Sequence, residues 1–114
     1  MITFEECQQL HRRWLLRNFG PDVDSYRPLI GIMEELGELA HAHLKQVDDI
    51  RGTPAQLEAE AQDAIGDIVM FLCGYCSLRG FSLQQCVESA WNAIKDRDWK
   101  RDPINEGAES HVWL

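Results

Sequence analysis

The sequence predicts an all-α fold: four helices on short connections, arranged as an antiparallel bundle. Three observations lead there. Helix-start signals recur at Thr3-Phe4-Glu5-Glu6, Thr53-Pro54-Ala55-Gln56 and Ser82-Leu83-Gln84-Gln85, each a hydroxyl residue followed three positions later by Glu or Gln. Between these signals apolar residues recur every three or four positions, the period of one helix face. The sequence carries no strand-like alternation, internal repeat or low-complexity tract.

Each element has its own local reason. In the first helix the Thr3 hydroxyl can accept a backbone N–H while Glu6 reaches back; the helix should run to about Asn18, and Gly20-Pro21 ends it. After a loop over 20–27, Pro28 suits the first turn of a second helix, because its missing N–H has no partner there. That helix should reach about Val47, with Leu29, Ile32, Met33, Leu36, Ala40 and Leu44 on one apolar face. Gly52 breaks the chain. Thr53 caps a third helix that opens on Pro54 and runs to about Arg79, where Gly80 can adopt the left-handed cap. Ser82 opens a fourth helix to about Asp98. The tail, Trp99 to Leu114, has Pro103 and Gly107 and no periodicity, and reads as irregular.

With 114 residues, the chain suits a single domain spanning 1–114. A chain this short builds a modest core, which a second copy would complete. The net charge of −8 argues against a nucleic-acid polymer as partner, since phosphate binding needs a basic surface. No apolar stretch approaches the roughly 20 residues of a membrane span, and the N-terminus lacks a signal-peptide pattern, so a cytoplasmic location without membrane association is expected. Cys73-x-x-Cys76 has the spacing of redox and zinc motifs, but it lies inside the apolar run Ile68–Leu78 and no second pair exists; buried core thiols are the expected role.

The informative residues are acidic. Glu35 and Glu38, three apart on the second helix, share a face, as do Glu60, Asp63 and Asp67 on the third. Like charges at this spacing destabilise a helix by about a few tenths of a kcal/mol per pair, and a divalent cation would offset the repulsion. Magnesium suits such a set: it takes hard oxygen ligands and keeps waters and substrate phosphates in its shell. Merely solvated acidic faces are the plainer alternative. Gly37 and Gly66 lie among these acids, where small residues would let the two helices approach closely.

Glu34-Glu35-x-x-Glu38, followed after a spacer by an acidic pair ending in Asp67-Ile68-Val69-Met70-Phe71-Leu72, resembles the MazG-like, all-α nucleotide pyrophosphohydrolases. The likeness covers residues 8–105 in layout and is most specific over 31–46 and 60–72. It implies that Glu35 and Glu38 form one metal pair and that Asp67 is the last ligand. The glutamate it expects three residues before Asp67 is Ala64 here. Asp63, one turn before Asp67, can supply the missing carboxylate; alternatively Glu60-x-x-Asp63 fits the pattern one turn upstream. The expected ligands are therefore Glu35, Glu38, Asp63 and Asp67 around magnesium, with manganese as a substitute, and Glu34 or Glu60 outside them to position a water. The implied reaction cleaves a nucleoside triphosphate between the α and β phosphates, releasing a monophosphate and pyrophosphate. Phosphoribosyl-ATP pyrophosphatase shares this fold and metal logic.

A triphosphate needs cations. Asn92-x-x-Lys95-x-Arg97, near the end of the fourth helix, is the basic cluster closest to that role, against plain capping of a helix C-terminus; Lys45 is a weaker candidate. Trp14 and Phe19 match positions that stack the base in the resembled family, with core packing as the alternative, while Trp91 and Trp99 read as core or interface residues. Glu38-x-x-His41 also fits half of a di-iron carboxylate motif, but the third helix has no matching histidine. A non-enzymatic acidic helical interaction module is the remaining rival. The small core, the apolar residues Leu10, Trp14 and Leu15 of the first helix and Val87, Trp91 and Ile94 of the fourth, and the pairing typical of the resembled family point to a homodimer or a tetramer built on it.

Overall fold

A computed structural model describes residues 1–101 and 103. It contains four helices: α1 (Phe4–Phe19), α2 (Tyr26–Asp48), α3 (Pro54–Arg79) and α4 (Leu83–Ile94). No strand occurs among the described residues. The all-α class is therefore as expected from the sequence. Trp113 and most of the tail fall outside the described residues; within 99–101 and at Pro103 the chain makes turns and a bend.

The helix starts follow local chemistry. Thr3 caps α1, its hydroxyl accepting from the Glu6 N–H; the same hydroxyl donates to the Glu6 carboxylate at 3.1 Å. At Thr53 the full reciprocal box forms: the Gln56 N–H donates to Thr53 Oγ1, and the Thr53 N–H donates to Gln56 Oε1 at 3.0 Å. Gly80 ends α3 with φ 68 and ψ 26, the left-handed conformation that glycine adopts without a Cβ clash.

Two boundaries differ from expectation. α2 begins two residues before Pro28, after an uncapped Ser25, so proline occupies the third helical position, still within the first turn, where no intrahelical N–H is lost. α4 stops at Ile94 instead of Asp98, so Lys95 and Arg97 lie in the turn beyond it, with Lys95 N donating to the Trp91 carbonyl and Arg97 N to that of Ile94.

The chain falls into two compact units, Met1–Gln84 and a second that begins at Gln85. In the first, α2 packs along α3, and α1 packs on α3. The contact register shows that α2 and α3 run antiparallel. Gly31 lies against the Phe71 ring, and one turn further along α2, Glu35 is influenced by Asp67, one turn back along α3. The core of this unit is small: Ala42, Leu57, Ala64, Cys73, Cys76 and Leu83 are its buried apolar residues. Gln8 ties the α3–α4 turn to α1, its amide donating to the Phe81 carbonyl at 2.8 Å and its Oε1 accepting from the Leu83 N–H at 2.8 Å. In the second unit, the Arg97 guanidinium lies over the Trp99 ring, 5.8 Å from its centre.

Two sequence expectations about helix faces need correction. Gly37 and Gly66 do not mediate close helix approach, since a Cβ at either would meet nothing within 4 Å. Gly31 and Gly74 do so instead: a Cβ would stand 2.5 Å from the Phe71 ring at position 31, and 3.1 Å from His11 Cε1 at position 74. Nor is the most apolar stripe of α2 buried, for Leu29, Met33, Leu36 and Leu44 are exposed, and α2 buries Pro28, Gly31 and Ala42. Trp91 is 60% exposed and Trp99 39%, so neither serves as a core residue. Cys73 and Cys76 are buried on α3, as expected of core thiols. No single helix among the described residues is long and apolar enough to cross a membrane.

Candidate functional site

The α2–α3 register gathers the acids. Glu35, on the packed side of α2, is half-buried, and its Oε2 atom is sealed from solvent without a hydrogen-bond partner. Burial pushes its carboxyl above the ordinary glutamate range, and the Glu38 and Asp67 carboxylates push it further. A hydrogen bond with the Glu38 side chain and the charge of Glu34 act in the same direction. Every named influence disfavours a negative charge on Glu35. Glu38 on α2 and Asp67 on α3, both expected as ligands, thus act electrostatically on Glu35 where the two helices meet.

That point opens into a cavity of about 640 Å³ lined by Glu35 and Asp67 together with residues of α1, including Cys7, His11 and Trp14. A second cavity, about 550 Å³, shares His11, Trp14 and Phe71 with the first and continues past Phe19, Arg27 and Leu78. Trp14 and Phe19, 44% and 64% exposed, meet edge to face with ring centres 5.8 Å apart. Their exposure weighs against plain core packing: they present aromatic surface along the cleft, as a base-binding wall requires.

The other expected site residues of the first unit are less convergent. Asp63 and Glu60 are exposed, one and two turns before Asp67 on α3, and line neither cavity. By the same register Ala64, 2% exposed, comes level with Glu38, so a buried methyl group occupies that height of the interface. Lys45 lies ten residues beyond Glu35 on α2, about 15 Å along the axis, half-buried with its carbonyl accepting from the Ile50 N–H. Asn92, Lys95 and Arg97 belong to the second unit, where one guanidinium nitrogen of Arg97, Nη1, is buried without a partner. Arg27, which lines the second cavity, is a cation that the sequence reading did not single out.

His11 was also missed. It lines both cavities, packs against Gly74, and its Nδ1 is buried without a partner. Burial lowers its pKa and favours the neutral ring. The available signal was the 7-11-14 spacing of Cys7, His11 and Trp14, which puts them on one face of α1.

Among the described residues, no three His, Cys, Asp or Glu side chains are gathered tightly enough to hold a metal ion as they stand. The donor set nevertheless fits a hard cation. Magnesium needs only one or two carboxylates when waters and substrate phosphates complete its shell. Glu35 offers an unpartnered oxygen beside two further carboxylates whose mutual repulsion a cation would relieve.

Compared with known protein families, with characterised proteins and with solved structures, the chain matches none of them.

Proposed function

We propose that the chain is a magnesium-dependent nucleoside triphosphate pyrophosphohydrolase of the MazG-like kind, working in nucleotide-pool housecleaning. One observation carries this reading: the solvent-sealed, unpartnered Oε2 of Glu35, with Glu38 and Asp67 beside it, at the wall of a cavity that also holds Trp14. An unpartnered carboxylate oxygen among like charges is costly, and a cation is the partner that reverses the sign of the interaction. Glu35, Glu38 and Asp67 would hold magnesium, manganese being an alternative, with Asp63 or Glu60 as a further carboxylate. Bound there, the ion would neutralise charge on the triphosphate oxygens and on the departing pyrophosphate.

The residues around it have separable tasks. Trp14 and Phe19 would flank the base, the neutral His11 ring would face its polar edge, and Arg27 would add a cation along the same cleft. Glu34 or Glu60 would orient the attacking water. Lys45, Asn92, Lys95 and Arg97 remain phosphate-binding candidates. The absence of a carboxylate at Ala64 departs from the resembled pattern, so the fourth ligand falls to Asp63 or Glu60. The four-helix bundle of that family, paired as a homodimer or a tetramer of such pairs, belongs to the same proposal.

Pyrophosphate release from a panel of nucleoside triphosphates in magnesium tests this reading, and phosphoribosyl-ATP in the panel separates the nearest alternative. Turnover should disappear in Glu38→Ala. Full activity in that variant would remove the proposed site. The exposed apolar stripe on α2 also suits a non-enzymatic interaction module; under that reading magnesium would leave the melting temperature unchanged.

A further inference from the structure

We propose that Cys7 and Cys73 form a peroxide-sensitive thiol pair, an oxidative modification site at the wall of the cavity that Glu35 and Asp67 line. The Cys73 thiol donates to the Cys7 sulfur at 3.7 Å, across the packing of α1 on α3. The two residues stand 66 positions apart in sequence, so their meeting is a tertiary feature. Closing the bond requires the sulfurs to approach by roughly 1.7 Å, toward the ~2.05 Å of a disulfide.

The two thiols differ in access. Cys7 is half-buried and lines the 640 Å³ cavity, so a molecule as small as hydrogen peroxide can reach its sulfur. Cys73 is 0% exposed, so solvent oxidants do not meet its sulfur directly. Burial and the neighbouring Cys7 push the Cys73 thiol well up, holding it protonated. Cys7 is therefore the thiol that reacts first and Cys73 the one that resolves it.

The steps balance with hydrogen peroxide as oxidant. The Cys7 thiolate attacks one peroxide oxygen, the O–O bond breaks, and Cys7 sulfenic acid forms as hydroxide leaves. Cys73 gives its proton to that hydroxide, making water, and its sulfur attacks the Cys7 sulfur. The S–O bond breaks, and the second hydroxide takes the proton first lost by Cys7. Two thiols surrender two electrons, and peroxide becomes two waters. The product ties α1 to α3 beside Asp67 and His11, fixing one wall of the cavity.

The test treats the full-length chain with hydrogen peroxide, counts thiols with a maleimide reagent and maps cross-links by non-reducing peptide mass spectrometry. Of the four thiols, two should be lost within single chains, with a Cys7–Cys73 peptide recovered. The melting temperature should rise by on the order of 10 °C and return on reduction with dithiothreitol. Cys7→Ser should remove the cross-link and the shift, and Cys86→Ser should leave both. Should Cys73→Ser fail to fold, Cys7→Ser alone decides. Retention of all four thiols, a Cys73–Cys76 link, cross-linking only through Cys86, or Cys7 oxidised to sulfinic acid without a cross-link would each overturn the proposal.

Discussion

Gly31 on α2 lies so close to the ring of Phe71 on α3 that a Cβ at position 31 would stand 2.5 Å from its Cε1. This contact sets the spacing of the two helices one turn from Glu35 and Asp67. Phe71 also lines both cavities, so whatever displaces its ring changes the cleft.

Gly31→Ala should therefore destabilise, by about 1–3 kcal/mol as overpacking does, and should weaken nucleotide binding as the ring is forced into the cleft. Gly37→Ala should do the opposite. Nothing lies within 4 Å of a Cβ there, and alanine is favoured over helical glycine by up to about 1 kcal/mol. Thermal melts of the two variants check this; melting shifts of the same sign would show that the α2–α3 contact does not run through position 31.

These two glycines also show what could be read from sequence. Helix starts and stops were legible because caps are local: Thr3, Thr53 and Gly80 act on backbone within a few residues of themselves. Which helical glycine meets a neighbour depends on helix rotation, and nothing local distinguishes Gly31 from Gly37. The stripe Leu29-Met33-Leu36 has the spacing of a core face, yet α2 turns a sparser face, Gly31 and Ala42, to α3. For the candidate site, helical phase and the resemblance named Glu35, Glu38 and Asp67, and the structure adds that the last two act on the first. His11 and Cys7 were not legible, because a single histidine or thiol on an amphipathic helix carries no spacing relation to acids on another.

Glu35 should make stability depend on pH. Its carboxyl is pushed up by burial first, then by Glu38 and Asp67, so the folded state holds that proton to higher pH than the unfolded chain does. The group's contribution is fully present below the unfolded pKa and is lost as pH rises through the folded one. Without metal, Glu35→Gln should thus raise the melting temperature near pH 7 and leave it nearly unchanged near pH 3.5. Circular dichroism melts at both values test this, and equal shifts at the two would refute a raised Glu35 pKa.

Magnesium should reverse that ranking. At neutral pH it should raise the melting temperature of the unaltered chain and have little effect on Glu35→Gln or Asp67→Ala, because a ligand that binds only the folded state stabilises it in proportion to its affinity. For the further carboxylate, Asp63→Asn should weaken magnesium binding by roughly 10–100-fold, and Glu60→Gln by much less. Asp63 is one turn from Asp67 and Glu60 two, and Ala64 supplies no carboxylate between them. Calorimetric titration of the two variants decides the point: a larger loss in Glu60→Gln assigns the role to the upstream residue.

Assembly follows from the face that α2 leaves uncovered. Met33 is 72% exposed, Leu36 56%, Leu44 55% and Val47 69%, and Leu29 continues the line at 44%. The steps from 29 to 33 and 36, and from 44 to 47, are the alternating fours and threes of a helix–helix seam. Exposed apolar residues along one helix face of a small chain commonly mark an interface. A second copy is the simplest partner, since two-fold symmetry would set the stripe against itself. The stripe lies on the helix that carries Glu34, Glu35 and Glu38, so pairing would steady the acidic face as well as bury apolar surface. The unaltered chain should run as a dimer, or as a tetramer containing that dimer, in light scattering at micromolar concentration. Met33→Glu with Leu36→Glu should shift it to monomer, since each would bury an unpaired charge in the seam, and should lower both melting temperature and turnover. An unaltered chain that is monomeric and fully active would show that the stripe is not a self-association surface.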